Sequence, residues 1–323
     1  MSTPVPADAE SVRQAAALLR DGEVVALPTE TVYGLAADAT DPAAVGRIFA
    51  IKGRPADHPL IVHLLDADAL EAWAVDIPEE ARVLAGACWP GPLTIVLRRA
   101  PAVLDAVTGG LDTVALRVPA HPVARAVLAE FGGAFAAPSA NRFGRVSPTT
   151  AAAVADDLGE DIGFILDGGA CRVGVESTIV DCSGGTTVVL RPGGVSVERI
   201  SELLERSVAV GGTTRAPGTL PAHYAPDARV VLADDREAAA VAGAFLAEGR
   251  SVALLAATVP MGLSDRVAVL EPPETDEEYA RVLYDRLRTA DHHGIEVVVA
   301  VPPNPVGIGR AVRDRLERAA ASA

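Results

Sequence analysis

The chain has 323 residues and a formal net charge of −15; 50% of its residues are hydrophobic and 22% are charged. This length is typical of about two domains, and the composition supplies enough apolar side chains for a sizeable core. No apolar run reaches the ~18 residues of a membrane-spanning helix, the polar N-terminus lacks the regions of an export signal, and the net acidity argues against tight, charge-driven binding of nucleic acid or an anionic membrane.

Helical and strand-like patterns alternate over residues 1–210. The predicted helices are Glu10–Arg20, Pro42–Ala50 with Asp41 as its N-cap, Pro78–Ala87 and Pro122–Glu130. The predicted strands are Val24–Leu27, Leu60–Leu64, Leu93–Leu97, Thr113–Val118 and a hairpin of Ile179–Asp181 with Thr187–Leu190. Because crossover connections and a hairpin are both present, we expect an α/β domain with a mixed sheet.

A segment rich in glycine and proline, Gly211–Pro226, interrupts this alternation and predicts a linker between two domains. After it, strands are predicted at Arg229–Leu232, Ser251–Leu255 and Ile295–Val301, and helices at Arg236–Leu246, Asp276–Ala290 and from Arg310 onward. We therefore expect a catalytic domain at 1–210, a linker or lid at 211–228, and a small βαβ (Rossmann-like) domain with a parallel sheet at 229–323. The linker carries His223 and Tyr224, so it could either close over a ligand or simply pack on a domain.

Lys52 is the only lysine among 28 basic residues. An ammonium here, beside the guanidinium of Arg54, would grip a polyphosphate well. The alternative is that both cations merely stabilise the C-terminus of the preceding helix. Because arginine would serve that second purpose equally, the single lysine favours a functional role.

Several standard signatures are missing from the sequence. Lys52 is followed by Gly53, so there is no Walker A loop, and Ser139 lacks the flanking glycines of a nucleophile elbow. His58 and His63 have no nearby ligands at zinc spacing, and we expect no metal site in the protein itself. Gly307-Ile308-Gly309 is better explained as a helix-entry turn than as a dinucleotide loop. The scattered cysteines, Cys88, Cys171 and Cys182, favour free thiols in a cytoplasmic protein.

The remaining polar residues follow predicted strands or lie in loops. Thr29, Glu30 and Thr31 come directly after a buried strand, where open α/β sheets bind ligands. Arg117 ends an apolar strand, so its buried charge needs an acidic partner or a ligand. Further segments of this kind are Ala136–Asn141, Ser147–Thr149, Asp167–Gly169, Gly174–Asp181, Leu190–Gly193 and His223–Pro226.

Taken in order, these strings resemble the YrdC-like threonylcarbamoyl-adenylate synthases in their longer, two-domain form. The strings that match are Pro28–Leu35, Lys52–Pro55, Trp89–Thr94, Arg117–Pro119, Ala137–Asn141, Glu176–Asp181, Leu190–Gly193 and His223–Pro226. The match is dense from about residue 10 to 226 and looser beyond. It implies a YrdC-like twisted mixed sheet, and a reaction of L-threonine, bicarbonate and ATP that gives threonylcarbamoyl-AMP and pyrophosphate for a downstream tRNA threonylcarbamoyl transferase.

The resemblance also implies roles for individual residues. The residues matching the family's threonine site are Thr31, His63, Arg117, Ala137 and Ser177. Those matching its ATP site are Arg54, His58, Thr113, Ser139, Ser147, Arg191 and Tyr224. Lys52, Arg54 and Asn141 would act in catalysis, with Lys52 on a phosphate or on the carboxylated amine, and Mg²⁺ would accompany the triphosphate.

The sequence departs from the family pattern at three points. His58 stands where asparagine is expected, Ala216 replaces a serine, and residues 219–222 lack the usual basic side chains.

Two other functions remain as alternatives. A carbamoyl transferase of hydrogenase maturation carries a similar domain but also acylphosphatase and CxxC segments, which this sequence lacks. A double-stranded RNA-binding module would need a more basic surface.

Overall fold

A computed structural model describes residues 2–218 and 223–322 of the chain. The chain divides into two units, one formed by Met1–Phe143 with Ser147–Thr219 and the other by Gly144–Val146 with Leu220–Ala323. In the predicted linker, the described residues are therefore 211–218 and 223–226. Residues 219–222, where the sequence lacks the family's usual basic side chains, lie outside the described residues.

The first unit is built on a twelve-stranded mixed sheet with the order β1-β9-β2-β3-β8-β4-β7-β6-β10-β11-β12 and with β5 paired to β6. Its strands are β1 (Val5–Pro6), β2 (Val25–Pro28), β3 (Tyr33–Asp38), β4 (Ile61–His63), β5 (Ala74–Val75), β6 (Leu93–Arg99), β7 (Thr113–Arg117), β8 (Phe135–Ala136), β9 (Phe164–Asp167), β10 (Thr178–Asp181), β11 (Val188–Arg191) and β12 (Ala209–Val210). The sheet contains both parallel pairs, such as β10 with β6, and antiparallel pairs, such as β2 with β3, which confirms the predicted mixed sheet. The predicted hairpin is also present, as the antiparallel pair of β10 with β11.

The helices of this unit bury one face against the sheet. They are α1 (Ala9–Arg20), α2 (Pro42–Lys52), α3 (Leu70–Trp73), α4 (Glu79–Cys88), α5 (Asp105–Thr108), α6 (Pro122–Phe131), α7 (Ala151–Leu158) and α8 (Val197–Leu203). The α2 helix shows how the sequence sets both ends: Asp41 caps its N-terminus with Pro42 in the first turn, and Gly53 ends it in the left-handed conformation, at φ 62°. Glycine adopts that conformation at little cost, which frees the chain to turn directly after Lys52.

The structure differs from the sequence prediction after β2. The string Pro28–Leu35 is not a loop throughout: residues 29–32 form a short turn, and Tyr33 begins β3, which pairs antiparallel with β2. Because β3 is buried on both faces, it lacks the polar–apolar alternation that would identify it in the sequence. The turn is consequently held rigidly by two central strands.

The second unit carries a four-stranded, fully parallel sheet with the order β13-β16-β14-β15. Its elements are β13 (Arg229–Leu232), α9 (Ala238–Ala247), β14 (Val252–Leu255), β15 (Ala268–Val269), α10 (Asp276–His292), β16 (Val297–Ala300) and α11 (Gly309–Ala320). This confirms the predicted βαβ unit. Gly307, at φ 57°, lies just before α11, so Gly307–Gly309 is the expected helix-entry turn.

Across residues 2–218 and 223–322, no helix combines the length and apolar character needed to span a membrane.

Candidate active site

The centre of the site is a buried ion pair between the turn after β2 and the end of β7. Arg117 donates from Nη2 to Oε1 of Glu30 at 2.6 Å and from Nη1 to Oγ1 of Thr31 at 3.0 Å. The other carboxylate oxygen of Glu30 accepts from the backbone N–H of Ala120 at 3.0 Å. Burial raises the pKa of Glu30, but the charge and hydrogen bonds of Arg117 outweigh it, so the pKa lies below its usual value. The expected acidic partner of Arg117 is therefore Glu30.

The hydroxyl groups of the turn form an ordered chain. Thr29 donates to the carbonyl oxygen of Val32 at 2.6 Å, which uses its single hydroxyl proton. The 2.8 Å contact between the two threonine hydroxyls must therefore be donated by Thr31. Since Thr31 also accepts from Arg117, its oxygen keeps only an acceptor position for a ligand. Such a position suits an ammonium or hydroxyl group.

His63 lies beside Arg117, because β4 and β7 are parallel neighbours with these two residues in register. Its Nδ1 contacts the carbonyl oxygen of Ile61 at 3.2 Å, so Nδ1 carries the proton and Nε2 is an acceptor. Burial, together with the Arg117 charge, lowers the pKa of His63 to about 3, which keeps the ring neutral at neutral pH. Ala137 adjoins the start of β4, donating its N–H to Ile61 at 3.0 Å.

A second cluster gathers around Ser177, the residue before β10. Its hydroxyl lies 2.8 Å from that of Thr94, and its carbonyl oxygen accepts from Nη2 of Arg191 at 2.8 Å. Nη1 of Arg191 donates to the carbonyl oxygen of Pro217, also at 2.8 Å. At Gly193 a Cβ atom would lie 2.3 Å from the carbonyl oxygen of Glu176, so only glycine permits this close approach of the two segments.

Ser147 is fully buried and donates to Oε1 of Glu176 at 2.7 Å. This contact places Ser147 next to the segment that carries Ser177. Thr113 is separate: it begins β7, four residues before Arg117 at the other end, so the two lie about 13 Å apart along the strand. Among the described contacts, none brings Thr113 to the other predicted ATP-binding residues.

Lys52 is 3% exposed, and its ammonium is bound by the loop that follows β8. Nζ donates to the carbonyl oxygen of Ser139 at 2.6 Å and also to that of Asn141. The backbone carbonyl of Lys52 accepts from the N–H of Phe143 at 2.8 Å. Burial and the neighbouring Arg54 charge lower the pKa of Lys52 well below its usual value. Lys52 thus positions this loop, and one of its three N–H donors remains for a ligand.

Arg54 and His58 meet at the ring of Phe143. The guanidinium carbon of Arg54 lies 5.6 Å from the ring centroid, and the imidazole of His58 packs edge-on at 5.3 Å. Nη2 of Arg54 donates to the carbonyl oxygen of Pro59 at 3.0 Å. Burial and the Arg54 charge lower the pKa of His58. Lys52, Arg54 and His58 therefore lie close together around Phe143.

Residues 211–218 of the predicted linker pack on the first unit. Thr214 donates to Asp181 at 2.5 Å, and Ala216 joins an apolar cluster with Ile61, Ile179 and others. Tyr224 belongs to the second unit, where it adopts φ 62° and is 1% exposed. Its ring stacks on that of Tyr284 at 5.8 Å and lies 5.0 Å from the guanidinium of Arg315. Within its own unit, Tyr224 is a core residue.

Three polar residues of these clusters are not among the substrate-binding or catalytic residues predicted from the sequence: Glu30, Thr94 and Glu176. The sequence shows Glu30 only as part of the turn, and its pairing with Arg117 spans 87 positions.

Among residues 2–218 and 223–322, no group of three or more histidine, cysteine, aspartate or glutamate side chains could hold a metal ion. All three cysteines are free thiols, and Cys171 and Cys182 are buried.

Comparisons with known proteins agree over both units. Residues 17–193 match the family Sua5_yciO_yrdC, described as telomere recombination, and residues 195–321 match the C-terminal domain of threonylcarbamoyl-AMP synthase. The chain is 43% identical over 321 residues to the threonylcarbamoyl-AMP synthase of Pyrococcus abyssi, covering 95% of this chain and 93% of that protein. It is 40% identical over 320 residues to the Bacillus subtilis threonylcarbamoyl-AMP synthase, covering 96% and 92%.

A solved structure covers the whole chain as well. The crystal structure of P. abyssi Sua5 complexed with L-threonine superposes with a TM-score of 0.92 at 41% sequence identity, covering 100% of this chain and 98% of that one. The agreement includes both the mixed sheet of the first unit and the parallel sheet of the second.

Proposed function

Because this chain belongs to the Sua5/YrdC family of threonylcarbamoyl-AMP synthases, we propose that it converts L-threonine, bicarbonate and ATP into threonylcarbamoyl-AMP and pyrophosphate. The observation that carries the proposal is the buried cluster of Arg117, Thr31 and His63. A buried cation, an acceptor hydroxyl and a neutral imidazole are the groups that an amino acid bearing a carboxylate, an amine and a hydroxyl requires.

In the threonine site, Arg117 pairs with the carboxylate. Arg117 uses three of its five N–H donors within the protein, on Glu30, on Thr31 and, through Nε, on the carbonyl oxygen of Gly91, which leaves two for the ligand. Thr31 and Nε2 of His63 offer acceptors to the amine or the β-hydroxyl. Ala137 and Ser177 complete the site, Ser177 being held in place by Thr94 and Arg191.

The ATP site is assigned to Arg54, His58, Thr113, Ser139, Ser147, Arg191 and Tyr224. Support is strongest where Lys52 fixes the loop of Ser139 and Asn141 next to Arg54. Support is weakest for Thr113, which lies away from the others, and for Arg191 and Tyr224, whose described contacts are with the protein itself. Lys52, Arg54 and Asn141 are the proposed catalytic residues.

The chemistry needs positioning and charge neutralisation more than acid–base groups. The neutral threonine amine attacks carbon dioxide and loses a proton to form a carbamate; if it attacks bicarbonate instead, hydroxide leaves the carbon and takes up that proton as water. A carbamate oxygen then attacks the α-phosphorus, and the bond to the bridging oxygen breaks as pyrophosphate leaves. Lys52 and Arg54 neutralise the charge that develops on the phosphate oxygens. The enzyme thereby transfers an adenylyl group and is a nucleotidyltransferase.

Magnesium enters this scheme as part of the substrate. The described side chains provide no cage for a divalent ion, and the buried carboxylates Glu30 and Glu176, which lie in the two clusters, are bound to Arg117 and Ser147. Magnesium is commonly held by nucleotide phosphates with few protein ligands. We therefore assign it to the ATP complex.

The product defines the partner. Threonylcarbamoyl-AMP is a reactive mixed anhydride, so an acyl transferase acting on tRNA must consume it, and the synthase itself need not bind nucleic acid tightly. The net charge of −15 and the free thiols are consistent with a cytoplasmic enzyme that works on small molecules.

Pyrophosphate release tests the proposal. With ATP and Mg²⁺ present, release should require both L-threonine and bicarbonate, and omission of either should reduce it to background. Release that is independent of threonine would contradict the assignment and favour a plain ATP hydrolase.

A further inference from the structure

Glu30 is the one buried carboxylate among the described residues that pairs with the proposed substrate-binding arginine. The side chains of Arg117 and Glu30 are 4% and 3% exposed, and their charged atoms are 2.6 Å apart. Both carboxylate oxygens are used, one by Arg117 and the other by the N–H of Ala120. The backbone carbonyl of Glu30 also accepts from Val173 at 2.8 Å, which anchors the turn from a second side.

The pair has an electrostatic consequence. With Glu30 ionised and His63 neutral, the buried cluster of these two residues and Arg117 carries no net charge before a ligand enters. Buried charges cost free energy unless they are compensated, so a ligand that adds a net charge is disfavoured there. L-Threonine at neutral pH is a zwitterion with no net charge, whereas the corresponding hydroxy acid without the amine is an anion.

We propose that Glu30 is a positioning and specificity-determining residue: it orients the guanidinium of Arg117 and sets the cluster to zero net charge, so that the site selects a zwitterionic amino acid over a plain carboxylate. This inference rests on the proposed function, because it takes the cluster as the amino-acid site. The charge of Glu30 explains why the site prefers an amino acid, which the side chains that contact the ligand do not explain by themselves.

Three features of the geometry support this role over simple packing. Both carboxylate oxygens of Glu30 are bound by N–H donors, which fixes the position of its charge beside the guanidinium of Arg117. The turn places Glu30 next to Thr31, so one short segment controls both the charge and the acceptor hydroxyl of the site. Arg117 is also fixed from a third direction, through Nε and the carbonyl oxygen of Gly91 at 3.3 Å. The guanidinium plane is thus held before substrate arrives.

The test is calorimetric binding of two probes to the full chain: L-threonine, and (R)-3-hydroxybutanoate, which keeps the carboxylate and hydroxyl but lacks the amine. Glu30→Gln keeps the size of the side chain and removes its charge. We expect the preference for L-threonine over the hydroxy acid to fall by roughly tenfold or more. The reason is that removing a unit charge a few ångströms from a ligand in a buried site changes the interaction energy by more than a tenfold change in affinity requires. Glu30→Asp, which retains the charge, should keep most of the preference.

Asp38→Asn is the matched control, because Asp38 lies at the far end of β3 from the turn and its carboxylate binds Thr40 rather than Arg117; its preference ratio should equal that of the wild type. Equal losses of both probes in Glu30→Gln would overturn the inference and leave Glu30 a structural residue. If Glu30→Gln does not fold, a Glu30→Asp protein that folds but has lost the preference would overturn it as well. Failure of the wild type to bind L-threonine would instead overturn the proposed function.

Discussion

The ammonium of Lys52 lies 2.6 Å from the carbonyl oxygen of Ser139 and holds the loop that follows β8 from inside the protein. A planar guanidinium cannot occupy this buried position without displacing its neighbours. Lys52→Arg should therefore lower synthase activity by roughly a hundredfold, as for loss of one transition-state contact. From the sequence alone this change is expected to leave the fold intact; its burial now predicts an additional loss of about 1–3 kcal/mol in stability.

Turnover measured under ATP and threonine saturation, alongside thermal melting, checks this expectation. Lys52→Met is the useful companion variant, because it fits the space without charge or hydrogen bonds. Near-normal turnover in both variants would show that the single lysine serves only the loop.

Arg117→Ala should weaken threonine binding far more than ATP binding, because the guanidinium belongs to the amino-acid cluster. It should also destabilise the protein by about 3–5 kcal/mol, since it leaves the buried carboxylate of Glu30 without its partner. Calorimetric titration with each substrate measures the first effect and urea denaturation the second. ATP affinity falling more than threonine affinity would refute the assignment.

The predicted linker, residues 211–226, is expected to act as a lid that keeps water from the acyl adenylate. Its residues 211–218 are held to the first unit by Thr214 on Asp181 and by Pro217 on Arg191. Thr214→Val removes one of these anchors while keeping the side-chain shape, so the ratio of threonylcarbamoyl-AMP formed to ATP consumed should fall as product is lost to hydrolysis. Thr187→Val makes the same chemical change on the β10–β11 hairpin, which carries Asp181, without removing that contact, and serves as a control. An unchanged ratio in Thr214→Val would reduce the segment to a connection.

The ring of Tyr224 is packed against Tyr284 and Arg315 in the second unit. Because this ring is 1% exposed, Tyr224→Ala should destabilise the protein as well as affect the yield of product. We now expect a loss of about 3–5 kcal/mol, typical of a buried aromatic truncated to alanine. Tyr224→Phe retains the packing, so it isolates any role of the hydroxyl in the yield of product.

His63 predicts a pH dependence of stability. Its pKa is lowered to about 3 in the folded protein but stays near 6.5 when unfolded, so the unfolded state binds more protons between these values. Stability should fall as the pH drops below about 6.5, by at most ~1.4 kcal/mol per pH unit for this residue. The lowered pKa of Glu30 adds its own loss only below about pH 4.3, so the window from pH 6.5 to 5 reports on histidines.

Urea denaturation at pH 7 and pH 5 measures this slope. His63→Phe should flatten it, because phenylalanine can stack on Phe135 as His63 does. The lowered pKa values of His121 and His58, each caused mainly by burial, leave a residual slope in this variant. An identical slope in His63→Phe would show that His63 is not the titrating group.

The sequence predicted elements whose ends are marked by local chemistry. The α2 helix is an example, with Asp41 and Pro42 at one end and Gly53 at the other. It failed for β3, because a strand buried on both faces between a tight turn and a helix has no periodicity to read. It also predicted that Arg117 needs an acidic partner, but it could not choose among 43 acidic residues, since the pairing with Glu30 depends on how separate strands come together.

The most direct test of the central claim is mass spectrometry of the nucleotides formed from ATP, L-threonine and ¹³C-bicarbonate. The account predicts a threonylcarbamoyl-AMP that is one mass unit heavier than the product made from ordinary bicarbonate, and that is absent when L-threonine is omitted. An adenylate without the labelled carbon, or AMP and pyrophosphate formed equally well without threonine, would contradict it.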